Sequence, residues 1–335
     1  MPPRPVAVFA LSDRARRQAF PAPVLDRLCR LVHLDPDAAL TEFTSPGARS
    51  ALATAEILIS GWGAPRIDVD ALAAAPRLRA VVHAAGTVKL HLDRAVFERG
   101  IVVSSAAQAN ALPVADFTIA ALVLGAKEVF ARARRYAAER PEGSWPAVRG
   151  PGLIGSTVGI VGASRVGRLV LDRLRDLDVT VLLADPYVTP QQARALGADH
   201  ADLDSLCARS DLISLHAPAL PETRHLIDSR RLALLPDGAV LINTARGSLV
   251  DTEALVAECA SGRISALLDV TDPEPLPHGH PLFQLDNVFV TPHLAGAEGR
   301  EVSRLGEFAT AEIGRLLRGA PLHGQIHFDH LARIA

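Results

Sequence analysis

Three cysteines, Cys29, Cys207 and Cys259, are far apart, odd in number and never spaced C-x-x-C. That pattern excludes a disulfide framework and the common structural zinc sites. A reducing compartment follows, and a cytoplasmic location is expected. Charge of one sign is lacking too: 35 Lys and Arg face 37 Asp and Glu, a formal net charge of -2. No broad field favours a nucleic acid or an anionic membrane surface. Charges or prolines interrupt every apolar stretch before it nears the roughly 18 residues of a membrane span. The N-terminal MPPRPVAVFALSDRARRQ has too short an apolar part, in the wrong order, for a secretory signal. Neither a membrane nor a nucleic-acid partner is therefore expected. Lysine is nearly missing, Lys89 and Lys127 standing beside thirty-three arginines. With the abundant alanine this is a compositional habit without functional weight. No fixed-period repeat and no low-complexity tract occurs.

What is there is a chain of 335 residues, 49% hydrophobic, long enough for two domains at about 150 residues each. Short apolar, β-branched runs alternate with longer alanine-, leucine- and arginine-rich segments, the rhythm of βαβ units. The fold class is α/β. Strands are expected at Val6 to Ala10, Ile57 to Ser60, Ala80 to His83 and Ile101 to Ser104, with a helical stretch at Val69 to Ala74. From Ala115 to Ala138 apolar residues recur at helical spacing, with Asn110 and Pro113 placed as a cap and a first-turn proline. The stretch ERPEGSWPAVRGPGLIG then reads as a surface excursion. A second series follows at Thr157 to Val161, Thr180 to Ala184, Leu212 to His216, Ala239 to Asn243, Ala266 to Asp269 and Val288 to Thr291. Six such strands make one doubly wound sheet, whose ligand lies beyond their carboxyl ends. The segment Glu301 to Leu317 reads as an amphipathic helix.

The segment STVGIVGASRVGRLVLDRL places strand, glycine turn and helix in the order of a dinucleotide fingerprint. Gly162 makes the tight turn and Gly167 allows close packing, with a pyrophosphate expected at the helix N-terminus. The middle glycine is replaced by Ser164, which either crowds the phosphates or donates a hydroxyl to them. The next strand ends in Asp185, eighteen residues after Gly167, where a carboxylate binds ribose hydroxyls and repels a 2′-phosphate. This favours NAD over NADP. An Asp before Pro is also an ordinary turn residue.

Three later strand ends carry chemically matched groups: Arg246 in LINTARGSLVD, Glu274 in LLDVTDPEPLP and His293 in VFVTPHLAG. Hydride transfer to a carbonyl beside a carboxylate needs a proton donor for the nascent alkoxide. It also needs a carboxylate that holds that imidazole and favours its charged form, and a guanidinium that clamps the substrate carboxylate. Each also has a structural reading: Arg246 as a turn residue, Glu274 as a loop charge between prolines, His293 as a fold-stabilising histidine.

On these residues, and on the blocks LHAPALPETRHLI, LLPDGAVLINTARGSLVD, HAAGTV and NALPVADF, the chain resembles the NAD-dependent D-2-hydroxyacid dehydrogenases, which include phosphoglycerate, glycerate and D-lactate dehydrogenases. The resemblance implies a Rossmann-type doubly wound parallel sheet inserted into a smaller, flavodoxin-like α/β substrate domain. The substrate domain would take residues 1–107 and 304–335, the NAD-binding domain residues 108–303. Arg246 would bind substrate, Glu274 would orient His293, and His293 would be the acid or base. The backbone of Ala85, Gly86 and Thr87 would cradle the substrate carboxylate. Gly162, Ser164, Arg165, Val166, Gly167, Asp185, His216, Ala217, Pro218, Thr223, Thr244, Ala245, Asp269 and Ala295 would line the NAD site, with Asp269 near the nicotinamide carboxamide. No metal is implied, a homodimer is, and the substrate would be a small 2-keto or 2-hydroxy acid.

The chain departs from the family pattern at Ser164, at Val88 in place of a frequent Asp, at Ser105 in place of a frequent Asn, and at Thr271 in place of an aromatic. These leave the acid unnamed. Lys89 has two readings, contact with a second anionic group or a solvated surface charge. Three rival readings remain: a non-enzymatic NAD-binding regulator of the corepressor kind, another Rossmann enzyme such as an alanine dehydrogenase, and a weakly active paralogue.

Overall fold

A computed structural model describes residues 3–139 and 150–331. The chain forms two compact units, one of Met1–Ala111 with Ala297–Ile334, the other of Leu112–Gly296. The first opens with strands β1 (Ala7–Ala10), β2 (Ile57–Ser60), β3 (Ala80–His83) and β4 (Val102–Ser105), paired in that order and all parallel. Residues 33 and 39 make isolated parallel bridges to Val6 and Phe9, so that segment flanks β1 on its other side and gives the flavodoxin-like order. Alternate strand residues point to opposite faces. Phe9, Ile57, Ile59 and Val82 enter one core with Phe20, Leu28, Leu305 and Ile313. Ala10, Leu58, Val81 and Val103 enter the other with Leu52, Leu72 and Val96.

Helix Ala107–Ala126 carries the chain from the first unit into the second. It differs from the sequence reading in three ways. Its start precedes Asn110 and Pro113, which lie within it. Ala107 N donates to the Ser105 hydroxyl at 3.1 Å, so a serine two residues upstream takes the role expected of Asn110. The helix also ends at Ala126, a second running from Val129–Glu139, because Glu128, three residues after Gly125, turns the backbone left-handed at φ +50°. Finally, this helix is long and apolar enough to cross a membrane, which corrects the expectation that no stretch approaches that length. Half of its apolar stretch is buried within the protein, with Ala115, Ala121 and Leu122 in the core of the second unit. Most of the glycine- and proline-rich excursion, residues 140–149, lies outside the described residues.

The second unit contains β5 (Thr157–Val161), β6 (Thr180–Ala184), β7 (Asp199–His200), β8 (Leu212–Leu215), β9 (Val240–Asn243), β10 (Ser265–Leu268) and β11 (Val288–Val290). They are all parallel, in the order β11, β10, β9, β8, β5, β6, β7. This is the doubly wound order with a seventh strand, and its switch point lies between β5 and β8. The sequence showed six of the seven. The two-residue, exposed β7 has no apolar run to reveal it. Because all strands are parallel, the residues that follow β5, β6, β8, β9, β10 and β11 share one edge of the sheet.

The chain then returns to the first unit through helix Ser303–Leu317 and the short strand β12 (Gln325–Ile326), antiparallel to β4. Glu312, its side chain fully buried, fixes this return. It accepts hydrogen bonds from Ser104 Oγ (2.6 Å), Arg315 (2.8 Å), His323 N (3.1 Å) and Gly324 N (2.8 Å).

Candidate active site

At the end of β5, Gly162 adopts φ +97°, and a Cβ there would lie 2.8 Å from Ala217 N. A Cβ on Gly167 would fall 2.1 Å from Gly162 O. The turn is thus closed to any larger residue at either position, and the backbone of helix Arg165–Leu174 is brought against the strand end. Ser164 is the N-cap of that helix: its hydroxyl accepts from Gly167 N at 3.3 Å. Arg165, exposed, and Val166, half-buried, form the first turn. Asp185, following β6, accepts from Ala163 N at 2.7 Å and from Tyr187 N at 2.8 Å, which ties the acidic strand end to the glycine turn. Free helix amides, a glycine turn and this carboxylate fit a dinucleotide.

After β8, His216 is 2% exposed, with Nε2 2.9 Å from Ser214 Oγ. Burial pushes its pKa down to about 3, so it is neutral and contributes a wall rather than a charge. The loop beyond it, with Ala217 buried and Pro218 half-buried, is pinned by Thr223. That hydroxyl donates to Pro218 O at 2.6 Å and accepts from Leu220 N at 2.8 Å.

The turn after β9 is built around Asn243, 1% exposed. Its Oδ1 accepts from Ala245 N (3.1 Å) and its Nδ2 donates to Arg246 O (2.9 Å), so one buried amide sets the backbone that carries the guanidinium. Thr244 Oγ1 lies 2.8 Å from the buried Thr118 hydroxyl. Burial lowers the Arg246 pKa, and the Glu274 charge partly offsets this; arginine stays charged regardless. Gly247 lets this turn meet the next one, since a Cβ there would lie 2.0 Å from the Thr271 carbonyl.

Glu274 and His293 come together. His293 Nδ1 is 2.6 Å from Glu274 Oε1, so Nδ1 carries the proton that the carboxylate accepts, and Nε2 is left for chemistry. His293 holds φ +54°, a conformation that few non-glycine residues adopt. Asp269 imposes it. Its backbone carbonyl accepts from His293 N at 2.9 Å. Its carboxylate, 2% exposed, accepts from Thr291 Oγ1 (2.7 Å), Leu294 N (2.8 Å) and Ala295 N (2.9 Å). The loop that presents His293 is therefore wound around one buried aspartate.

In the first unit, the loop after β3 carries Ala85, Gly86 and Thr87. Ser105 lies 3.2 Å from Ala85 O and also hydrogen-bonds Gly86 O. Asn110 accepts from Ala297 N at 3.0 Å, and its Nδ2 lies 3.5 Å from where a Cβ on Gly86 would stand. Beneath, His83 is 1% exposed, bonded through Nδ1 to Ser60 Oγ at 2.9 Å, and burial pushes its pKa down to about 3. Among the described residues no group of three or more His, Cys, Asp or Glu is arranged to hold a metal ion.

The family model described as "D-isomer specific 2-hydroxyacid dehydrogenase, NAD binding domain" matches residues 121–295, more than half of the chain. The chain belongs to this family. As a D-isomer specific 2-hydroxyacid dehydrogenase family member it is 33% identical over 270 residues to D-3-phosphoglycerate dehydrogenase of Methanocaldococcus jannaschii, across 79% of this chain and 50% of that protein. It thus spans about half the length of the phosphoglycerate dehydrogenases it matches. Glyoxylate reductase of Thermofilum pendens is 34% identical over 265 residues, 76% of each chain. The solved TT0316 protein of Thermus thermophilus is 33% identical, with a TM-score of 0.75, over 97% of this chain and 100% of that one.

Within the second unit the structure joins His293 to Glu274 and sets Arg246 against the loop that carries Glu274. The loop of Ala85, Gly86 and Thr87 belongs to the first unit. Asn243 and Asn110 escaped the sequence reading as site residues. Asn243 is a strand-end amide next to Arg246, a signal of the same kind as the ones that were used. Asn110 looked like a helix cap.

Proposed function

We propose that the protein is an NAD(H)-dependent oxidoreductase of D-2-hydroxy acids and 2-keto acids. The observation that carries this reading is the 2.6 Å contact between His293 Nδ1 and Glu274, on the sheet edge that also bears Arg246 and the glycine turn. The bound nicotinamide supplies the hydride in reduction and takes it in oxidation. His293 gives its Nε2 proton to the oxygen of the reduced carbonyl, and takes that proton back from the hydroxyl in the reverse direction. Glu274 accepts from Nδ1 in both states, fixing the tautomer and the ring plane. Arg246 binds the substrate carboxylate as a two-toothed clamp; in the first unit, the backbone of Ala85, Gly86 and Thr87 is a substrate-binding loop. Gly162, Ser164, Arg165, Val166 and Gly167 hold the pyrophosphate. Asp185 binds the ribose hydroxyls and favours NAD over NADP. His216, Ala217, Pro218, Thr223, Thr244, Ala245 and Ala295 form the remaining walls. Asp269 acts from beneath by holding the 291–295 loop.

A non-enzymatic sensor of NAD has no use for an imidazole oriented by a carboxylate, which favours the enzyme over the regulator. The test is NADH consumption with glyoxylate, hydroxypyruvate, pyruvate, 2-ketoisocaproate and phenylpyruvate. Turnover of at least one is expected, and tight NADH binding with no turnover of any would sink the reading. We further read the protein as a cytoplasmic homodimer. All three cysteines are free, and burial pushes the Cys207 thiol up to about 11 and the Cys259 thiol up to about 12, which suits a reducing compartment. Val129 and Tyr136 are exposed apolar side chains on helix Val129–Glu139, and light scattering at the mass of one chain would refute the dimer.

A further inference from the structure

We propose that Ser105 is a positioning residue for the substrate carboxylate, setting the direction of the backbone amides that receive it. The inference rests on the reading of the Ala85–Thr87 loop as a carboxylate site. Ser105 ends β4 and is 3% exposed. Its hydroxyl accepts from Ala107 N at 3.1 Å, which fixes the oxygen, and shares its one proton between Ala85 O at 3.2 Å and Gly86 O. In a planar trans peptide the C=O of one residue and the N–H of the next point in opposite directions. Drawing the carbonyls of Ala85 and Gly86 toward Ser105 therefore turns the N–H groups of Gly86 and Thr87 away from it, side by side. Neither amide donates to any group among the described residues. Gly86 and Thr87 are half-buried between the buried Ala85 and Val88, so their amides stay open to a ligand, and successive N–H groups turned the same way form an anion-binding concavity. A carboxylate supplies the two acceptor oxygens that this pair lacks.

The family pattern often has asparagine where this chain has Ser105. An asparagine has separate donor and acceptor atoms for these tasks, whereas here one hydroxyl serves both. Replacing Ser105 by alanine leaves two carbonyls without their donor and frees both peptide planes to rotate.

The experiment compares Ser105→Ala and Ser105→Thr with the parent. It measures KM and kcat for the keto acid that the parent reduces best, the Kd of oxamate with NADH saturating, and the Kd of NADH. In Ser105→Ala, KM and the oxamate Kd should each rise about tenfold, the worth of one hydrogen bond. kcat and the NADH Kd should be nearly unchanged, and Ser105→Thr, which keeps the hydroxyl, should restore both values. Should the alanine variant fail to accumulate, Ser105→Cys keeps the side-chain shape with a much weaker donor and is expected to weaken oxamate in the same way. The proposal is overturned if oxamate binds alanine and parent proteins equally, if the threonine variant is as impaired as the alanine one, or if NADH affinity falls together with oxamate affinity. If the parent reduces no keto acid, the reaction reading fails by itself. The ratio of oxamate affinities, parent to variant, still decides the part played by Ser105.

Discussion

His293 is held at three points: its ring by Glu274, its amide by the Asp269 carbonyl, and its loop by the Asp269 carboxylate. Replacing it with glutamine removes the titrating group and keeps a polar side chain on the same backbone. His293→Gln is expected to lower kcat by about 10²–10⁴-fold, the usual worth of a positioned acid or base. Titration of NADH fluorescence should show cofactor affinity unchanged, and its loss would make His293 a structural residue. Strand-end logic found His293, Glu274 and Arg246 in the sequence, because a polar residue just past an apolar run in a parallel sheet lands at the ligand edge. The family resemblance placed Asp269 near the nicotinamide carboxamide, but not at the centre of the loop that carries His293. The three donors to Asp269 come from residues 22 to 26 positions further on, and only folding brings them to one carboxylate. His216 shows the converse: its position was legible, whereas its burial and its bond to Ser214 were not.

At the scale of the element, Ser164 resolves the broken glycine fingerprint. The hydroxyl caps helix Arg165–Leu174 through Gly167 N, so the residue that departs from the glycine pattern stabilises the helix whose N-terminus is proposed to receive the phosphates. A cap replaced by alanine costs about 1 kcal/mol, and by glycine only a few tenths. Ser164→Ala should therefore lower the melting temperature measurably while Ser164→Gly does not, and calorimetry that finds the two equal would remove the capping role. The strands β2, β3 and β5 were readable to the residue, because a short β-branched run buried on both faces has no other use. The single helix expected over Ala115 to Ala138 was not. The break at Glu128 rests on a left-handed backbone at a residue type that rarely signals one, and helical periodicity runs straight through it.

For the molecule as a whole, each unit buries a neutral histidine, His83 in one and His216 in the other, both with pKa values pushed to about 3 from an ordinary 6.5. Between those values the unfolded chain binds protons that the folded chain refuses, so stability falls as pH drops below about 6.5. The slope reaches about 1.4 kcal/mol per pH unit for each group. Glu312 adds to this at lower pH. Its hydrogen bonds outweigh the burial that opposes them and hold its pKa below the ordinary 4.5. Its contribution is present above that value and is lost as pH falls through the folded one. Denaturant melts between about pH 7 and pH 5 should show midpoints falling with pH, and a flat profile would mean that the two histidines protonate without unfolding. The return of the chain to its first unit also orders events at the ribosome. Ser104, which bonds Glu312, is made some two hundred residues before its partner, so β4 waits as an open edge while all of the second unit is synthesised. Pausing, or a premature stop within the second unit, would release a nascent chain with that edge bare, a template for pairing with its neighbours. The inserted architecture thus leaves helix Ser303–Leu317 and β12 to cover that edge only after the whole second unit has been made.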